Sequence, residues 1–242
     1  ASCGPTFFAL PQDVQATGFD YPEAFFNETI HEIPRPRPDL SELNKCVALI
    51  NNAKRPVLVA GGGVHYSLAE KELAAFAKEQ QIPVVETMAG KSSLPWSNPL
   101  LVGPLGVTGS DPVNELVSES DLIIAIGTRL QDFTTGSWTL FGDKDIVAIN
   151  AARFDATKRR ASAVVGDALA TISELRIQVK PTNRADWIAR AKSLKNSNVV
   201  LRTSREKLKS ELPTYAQVVI AANEIARPED YVLTAAGGLP GE

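Results

Sequence analysis

Glycine turns placed after apolar runs are where this sequence could do chemistry. Gly61-Gly62-Gly63 follows Pro56-Val-Leu-Val-Ala60. Glycines at a strand-to-helix junction let backbone amides come close to an anion, which the N-terminal end of the next helix attracts. The spacing departs from Gly-x-Gly-x-x-Gly. Glu86, at the end of the next apolar run, is followed by Thr87 and Met88 rather than by a turn, so no ribose-binding carboxylate is located. The triplet therefore reads either as a tight turn or as a reduced nucleotide site. Arg129 follows Gly127 at the carboxyl end of the most apolar run, Asp121-Leu-Ile-Ile-Ala-Ile-Gly127, where doubly wound sheets bind ligands. Its guanidinium could meet a phosphate or pair with Asp132 on the same loop. Gly237 and Gly238 end a third apolar run from Val232 and have the shape of another phosphate turn.

Other constellations lose to simpler explanations. Gly166-Asp167 with Asn196 has the outline of a Gly-Asp-Gly metal-diphosphate motif, but Ala168 stands in the third place and Asp167 suits a helix N-cap. His31 and His65 are separated from each other and from any cysteine, and read as surface or turn residues. Cys3 and Cys46 have no Cys-x-x-Cys spacing and read as free thiols. Lys158-Arg159-Arg160 reads as a solvated helix face. Gly-x-Ser-x-Gly, His-Glu-x-x-His and cysteine–histidine nucleophile patterns are absent.

The elements that must position these residues alternate. A helix is expected over Leu40–Asn52, from Leu40, Leu43, Val47 and Ile50. Strands are expected at 56–60, 84–86, 121–127, 146–149 and 163–166, and Ser67–Glu70 reads as a capping box opening a helix that runs to about Gln80. Asp111-Pro112 marks a helix start, Ala168–Ile177 a closing helix, and Gly4–Leu10 an opening strand. Polar helices are expected around 187–195 and 204–211, and a second capping box at Thr214–Gln217. The fold class that follows is α/β, a doubly wound, mostly parallel sheet of about six strands. The expected organisation is an N-terminal tail and proline-rich linker over 1–38, a Rossmann-like central domain over 39–180, a helical linker over 181–213 and the start of a further domain over 214–242. Unpaired apolar ends and Ala1 in place of an initiator methionine read as an excerpt from a larger enzyme.

The 242 residues are 44% hydrophobic and 22% charged with a net charge of −3, which argues for a globular domain and against nucleic acid as a partner. No apolar run approaches the roughly 20 residues of a membrane span, and no signal peptide is recognised, so a cytoplasmic location is expected.

Several segments together resemble the thiamine diphosphate-dependent enzymes of the acetohydroxyacid synthase type. Gly4–Val14 resembles the end of their pyrimidine-binding domain. Arg55–Gly63, Gly127-Thr-Arg129 and Asp132–Gly136 resemble their central domain, and Thr214–Gly238 the opening of their diphosphate-binding domain. Ala9–Gln15 with Asp20-Tyr-Pro22, Val85–Thr87 with Ala89-Gly-Lys91, Leu94-Pro-Trp96, Gly106–Gly109, Asp132–Thr135 and Ala235–Gly241 are similar to the branch that acts in bacterial myo-inositol catabolism. The resemblance implies hydrolytic opening of a cyclic diketone at a carbon–carbon bond to 5-deoxy-glucuronic acid. It implies thiamine diphosphate and Mg²⁺ in a self-associating parent, a dimer or tetramer. Gly237, Gly238 and Leu239 fall at the first diphosphate contacts. The activating glutamate and the metal ligands are implied to lie outside these residues, so the chain alone holds no catalytic or metal-ligating residue, binds no cofactor and is inactive. The family's flavin-binding loops correspond to those at Gly61, Gly106 and Arg129, but Gly103–Gly109 lacks Gly-Met-His-Gly. Gly61, Gly62, Gly63 and Arg129 are accordingly expected to be a vestigial nucleotide site. Two alternatives stay open: a flavin-containing carboligase parent, and a stand-alone nucleotide-binding regulatory module.

Overall fold

The structure, a computed structural model, describes residues 7–30, 32–227, 229–230 and 233. Residues 1–35 and 36–242 form separate compact units. In the first, a four-residue helix, α1 (Gln12–Gln15), precedes a 3₁₀ turn at Glu23–Phe26. Phe19, Tyr21, Phe25 and Phe26 contact one another edge-on or tilted. Phe7–Leu10 is not a strand, which corrects the expectation for the described part of that segment. Residues 4–6 of the expected strand lie outside the described residues, as does the apolar run from Val232 apart from the exposed Leu233.

The second unit is built on β1 (Pro56–Ala60), β2 (Val84–Glu86), β3 (Leu101–Pro104), β4 (Leu122–Ile126), β5 (Asp145–Asn150) and β6 (Ser162–Val165). They form one six-stranded sheet in the order β3-β2-β1-β4-β5-β6, and all of its pairings are parallel. Burial on both faces explains why β1 and β4 are apolar at every position. Alternate residues then serve opposite layers. Leu58, Ala60, Leu122, Ile124 and Ile126 face a core shared with Leu43 and Ile50 of α2 (Leu40–Asn52), Leu73 and Phe76 of α4 (Glu70–Gln80) and Ile172 of α8 (Ala168–Gln178). Val57, Val59, Ile123 and Ala125 face the other, with Val113 and Leu116 of α5 (Asp111–Glu119) and Trp187 and Leu194 of α9 (Ala185–Glu206). This is the doubly wound α/β arrangement. Short helices α3 (Gly62–Tyr66), α6 (Asp132–Thr135) and α7 (Arg153–Ala156) sit in the connections, and α10 (Tyr215–Ile225) follows α9.

Local signals met tertiary competition in several places. The expected capping box at Ser67 does not form: α4 starts after Ala69 with no side-chain cap, while the Ser67 hydroxyl donates to Asp167 Oδ2 at 2.7 Å. Asp111 occupies the first turn of α5 and Ser110 the cap position. The two helices expected at 187–195 and 204–211 are one 22-residue helix, α9, ending at Glu206. It stays long because one side packs on the sheet: the Trp187 indole N–H donates to Pro56 O at 2.8 Å. Lys158–Arg160 is a 3₁₀ turn with left-handed backbone at Arg159 and Arg160 rather than a helix face. Its side chains are engaged, Lys158 with Asp155 and Arg159 over the Trp138 ring. The Thr214–Gln217 capping box is present in full.

Candidate functional site

The chain reverses direction across the sheet between β1 and β4, since β2 continues to one side and β5 to the other. Doubly wound sheets carry their ligands at that switch point, above the carboxyl ends of the strands. The sequence-derived candidates Gly61, Gly62, Gly63 and Arg129 all lie there. The glycines serve close main-chain contact. Gly61 N donates to Ile126 O at 2.8 Å and Gly63 N to Gly127 O at 2.9 Å. A Cβ on Gly63 would stand 2.6 Å from Gly127 Cα, and Gly127 itself has φ +61°. Two amides that could meet a phosphate are therefore committed to β4, and the helix they open, α3, has five residues. A diphosphate cradled on Gly61–Gly63 does not fit this arrangement.

Arg129 is exposed on the loop after β4, next to Leu130 with φ +50°. Of the two roles open to it, the pair with Asp132 does not form: among the described residues the Arg129 guanidinium meets no carboxylate, while its carbonyl accepts from Lys158 Nζ at 3.2 Å. The Gly106 loop closes the same end. Val107 N donates to Phe133 O, and Gly106 exchanges both its main-chain bonds with the Asn114 amide.

Two ionisable groups here were named in the sequence but given no role at the site. Glu86 does end β2, in register with Ala60 of β1, the place of an acidic residue in dinucleotide folds. The turn expected to be missing after it is the 3₁₀ segment Met88–Gly90, with Thr87 Oγ1 accepting from Gly90 N. Glu86 is 6% exposed and its Oε2 accepts from Ser92 N at 3.0 Å. Burial raises its pKa, against the Ser92 amide and the charges of Lys91 and His65. His65, at the end of α3, has Nδ1 2.8 Å from Glu70 Oε1 and Nε2 2.9 Å from Lys91 O. Burial opposes its charge, but the Glu70 bond and the Lys91 and Gly90 carbonyls outweigh that and hold its pKa above the usual value. An alternation of apolar residues could have pointed to Glu86; a histidine–glutamate pair across an interrupted helix carries no periodic signal.

The remaining candidates separate from this site. Asp167 caps α8 as expected, with Oδ1 accepting from Ala170 N at 3.1 Å, and Asn196 lies exposed on α9. Both Asp167 oxygens are thus committed, and among the described residues no group of three or more His, Cys, Asp or Glu could hold a metal. A Mg²⁺–diphosphate motif does not fit Gly166–Ala168. Cys46 is buried and free, its thiol pushed up to about 12 by burial. Gly237, Gly238, Leu239, His31 and Cys3 lie outside the described residues. No helix among the described residues is long and apolar enough to cross a membrane.

Comparison with known proteins gives the arrangement a family. Residues 43–175 match the thiamine pyrophosphate enzyme central domain. The chain is 35% identical to the 3D-(3,5/4)-trihydroxycyclohexane-1,2-dione hydrolase of Clostridium perfringens, with 100% of this chain and 42% of that protein aligned. The hydrolase of the same name from Listeria monocytogenes gives the same 35%, 100% and 42%. That from Geobacillus thermodenitrificans is 44% identical over 72% of this chain and 27% of its own length. The chain thus spans about 42% of the length of the relatives it matches throughout. The match over 43–175 takes in β1 to β6 and the switch point, and on that ground the chain belongs to the thiamine pyrophosphate enzymes, of which it carries the central domain.

Proposed function

We propose that this chain is the central scaffold of a thiamine diphosphate-dependent hydrolase that opens trihydroxycyclohexane-1,2-dione by carbon–carbon cleavage to 5-deoxy-glucuronic acid, in myo-inositol catabolism in the cytoplasm. The observation that carries this reading is the likeness of the whole chain to hydrolases of that name. Residues 39–180 are the scaffold domain, 1–38 the end of the pyrimidine-binding domain, 181–213 a connecting helix, and 214–242 the start of the diphosphate-binding domain. Thiamine diphosphate supplies the carbanion-stabilising chemistry in the parent, where a protein's part is position and electrostatics. Gly237, Gly238 and Leu239 are one wall of its site, which Mg²⁺ and a second subunit complete.

Within these residues the switch point is a nucleotide site in vestige, with Gly61 and Gly63 holding the end of β4, Gly62 set against Ala89 and Arg129 left over. The chain alone binds no cofactor and turns over no substrate. The test compares the product of the full reading frame with this chain, each supplied with thiamine diphosphate, Mg²⁺ and the cyclic dione. Dione consumption by the full product and none by the chain is expected. Acetolactate formation from pyruvate, with a visible flavin band, would instead assign the parent to the carboligases. Tight adenine nucleotide binding by the chain, without turnover by the full product, would make it a regulatory module.

A further inference from the structure

His65 makes two contacts that one neutral imidazole cannot make. Its Nδ1 faces Glu70 Oε1 at 2.8 Å and its Nε2 faces Lys91 O at 2.9 Å. A carboxylate and a carbonyl both accept, and a neutral ring has one N–H to give. We propose that His65 is an imidazolium donating to both, a clamp that holds the 88–93 loop against the switch point and lets go of it when the ring loses its proton. The neutral ring would set a nitrogen lone pair against an oxygen at hydrogen-bond distance, so one contact must open. The bond to the Glu70 carboxylate is the stronger, because its acceptor is charged. The Lys91 carbonyl is therefore the one released.

The groups facing the ring favour the charged form. α4 presents the Glu70 carboxylate, and β2 presents Glu86, on which His65 acts as a positive charge. Gly90 adds a second carbonyl from the loop. The Lys91 ammonium acts on Glu86. α8, also packed on α3, brings Asp167, which the Ser67 hydroxyl engages.

The loop is worth clamping because of where it lies. A Cβ on Gly90 would stand 2.0 Å from Ala60 O, so the loop backbone rests on the end of β1. Ala89 packs beside Gly62, and Ser92, with φ +70°, gives its amide to Glu86. One proton thus decides whether the wall over Gly61–Gly63 is tied at Lys91.

Nitrogen-15 spectra of the whole 242-residue chain read both ring nitrogens of its two histidines, and His65→Gln assigns the His65 signals. The expected result is a His65 ring protonated at both nitrogens at pH 6.5, titrating above that ordinary value. As pH rises through the titration, hydrogen-exchange protection of the Lys91–Ser93 amides should fall about tenfold or more relative to the β4 amides, the scale of losing one charge-assisted bond. In His65→Gln that step should vanish while the β4 amides stay protected, which separates the clamp from general unfolding. Glu70→Gln should move the titration and the loop step to lower pH together. A ring with a single proton at pH 6.5, a loop step that ignores the titration, or the same step persisting in His65→Gln would each overturn the clamp.

Discussion

At the scale of single residues, Glu86 shows how burial turns a strand-end carboxylate into a pH-dependent cost. Its partner is one amide, from Ser92, and burial dominates the opposing influences, so the folded-state pKa lies above the usual 4.5. A raised pKa means the folded state holds the proton more tightly than the unfolded chain. The associated stability is complete below the unfolded value and is lost as pH rises through the folded one. Glu86→Gln keeps an oxygen for the Ser92 amide and removes the charge. It should leave the melting temperature unchanged at pH 4 and raise it at pH 7 by about 2–4 °C, the shift that ~1 kcal/mol produces in a chain of this size. Melting curves at the two pH values test this; a lower melting temperature at pH 7 would mean that the carboxylate charge is stabilising. His65 acts in the same direction for a different reason. Its raised pKa gives stability present below the unfolded value near 6.5 and lost as pH climbs through the folded value.

At the scale of elements, Arg184 shows what sequence periodicity leaves out. It is 4% exposed and sits just before α9, donating to Gln80 O, Ile50 O and Ala53 O, the carbonyl ends of α4 and α2. A cation at two helix C-termini meets orphan carbonyls and the negative ends of both dipoles. Arg184→Met fills the space but leaves those carbonyls buried and unpaired, so a loss of about 2–4 kcal/mol is expected, and urea denaturation measures it. A loss below about 0.5 kcal/mol would mean that water replaces the guanidinium. Nothing near Asn183-Arg-Ala185 marks this residue out, because its partners are more than a hundred positions away. The same distance explains the missed cap: Ser67 has the right spacing to Glu70, but Asp167 takes its hydroxyl. The strands were legible because burial on both faces forces continuous apolar runs, as in Leu122–Ile126. Thr214–Gln217 was legible because its partners are its own neighbours. The switch-point glycines were legible as a turn, whereas their contact with Gly127 depends on the order of β1 and β4 in the sheet.

At the scale of the whole molecule, the second unit divides into a part whose burial holds it together and a part that is carried along. β1 to β6 with α2, α4, α5, α8 and the first half of α9 contain both apolar cores, the last α9 contribution being Leu194. α10 buries none of its residues, and Tyr215 and Ile225 are exposed. Its ties to α9 and the following turn include the Gln217 amide bonds to Glu206 O and Leu208 O, both at the surface. Surface interactions of this kind typically contribute within about 0.5 kcal/mol. A chain ending at Glu206 should therefore unfold within about 1–2 °C of the 242-residue chain, in one transition of similar steepness. α10 is also the most apolar of the exposed helices, with Val218 and Val219 only partly covered, so its removal should lower any self-association seen at high concentration. Calorimetry and sedimentation on the two chains give the paired readout. A fall of more than about 5 °C in the shorter chain would place part of the cooperative core beyond Glu206, with the exposed side chains of α10 contributing to it.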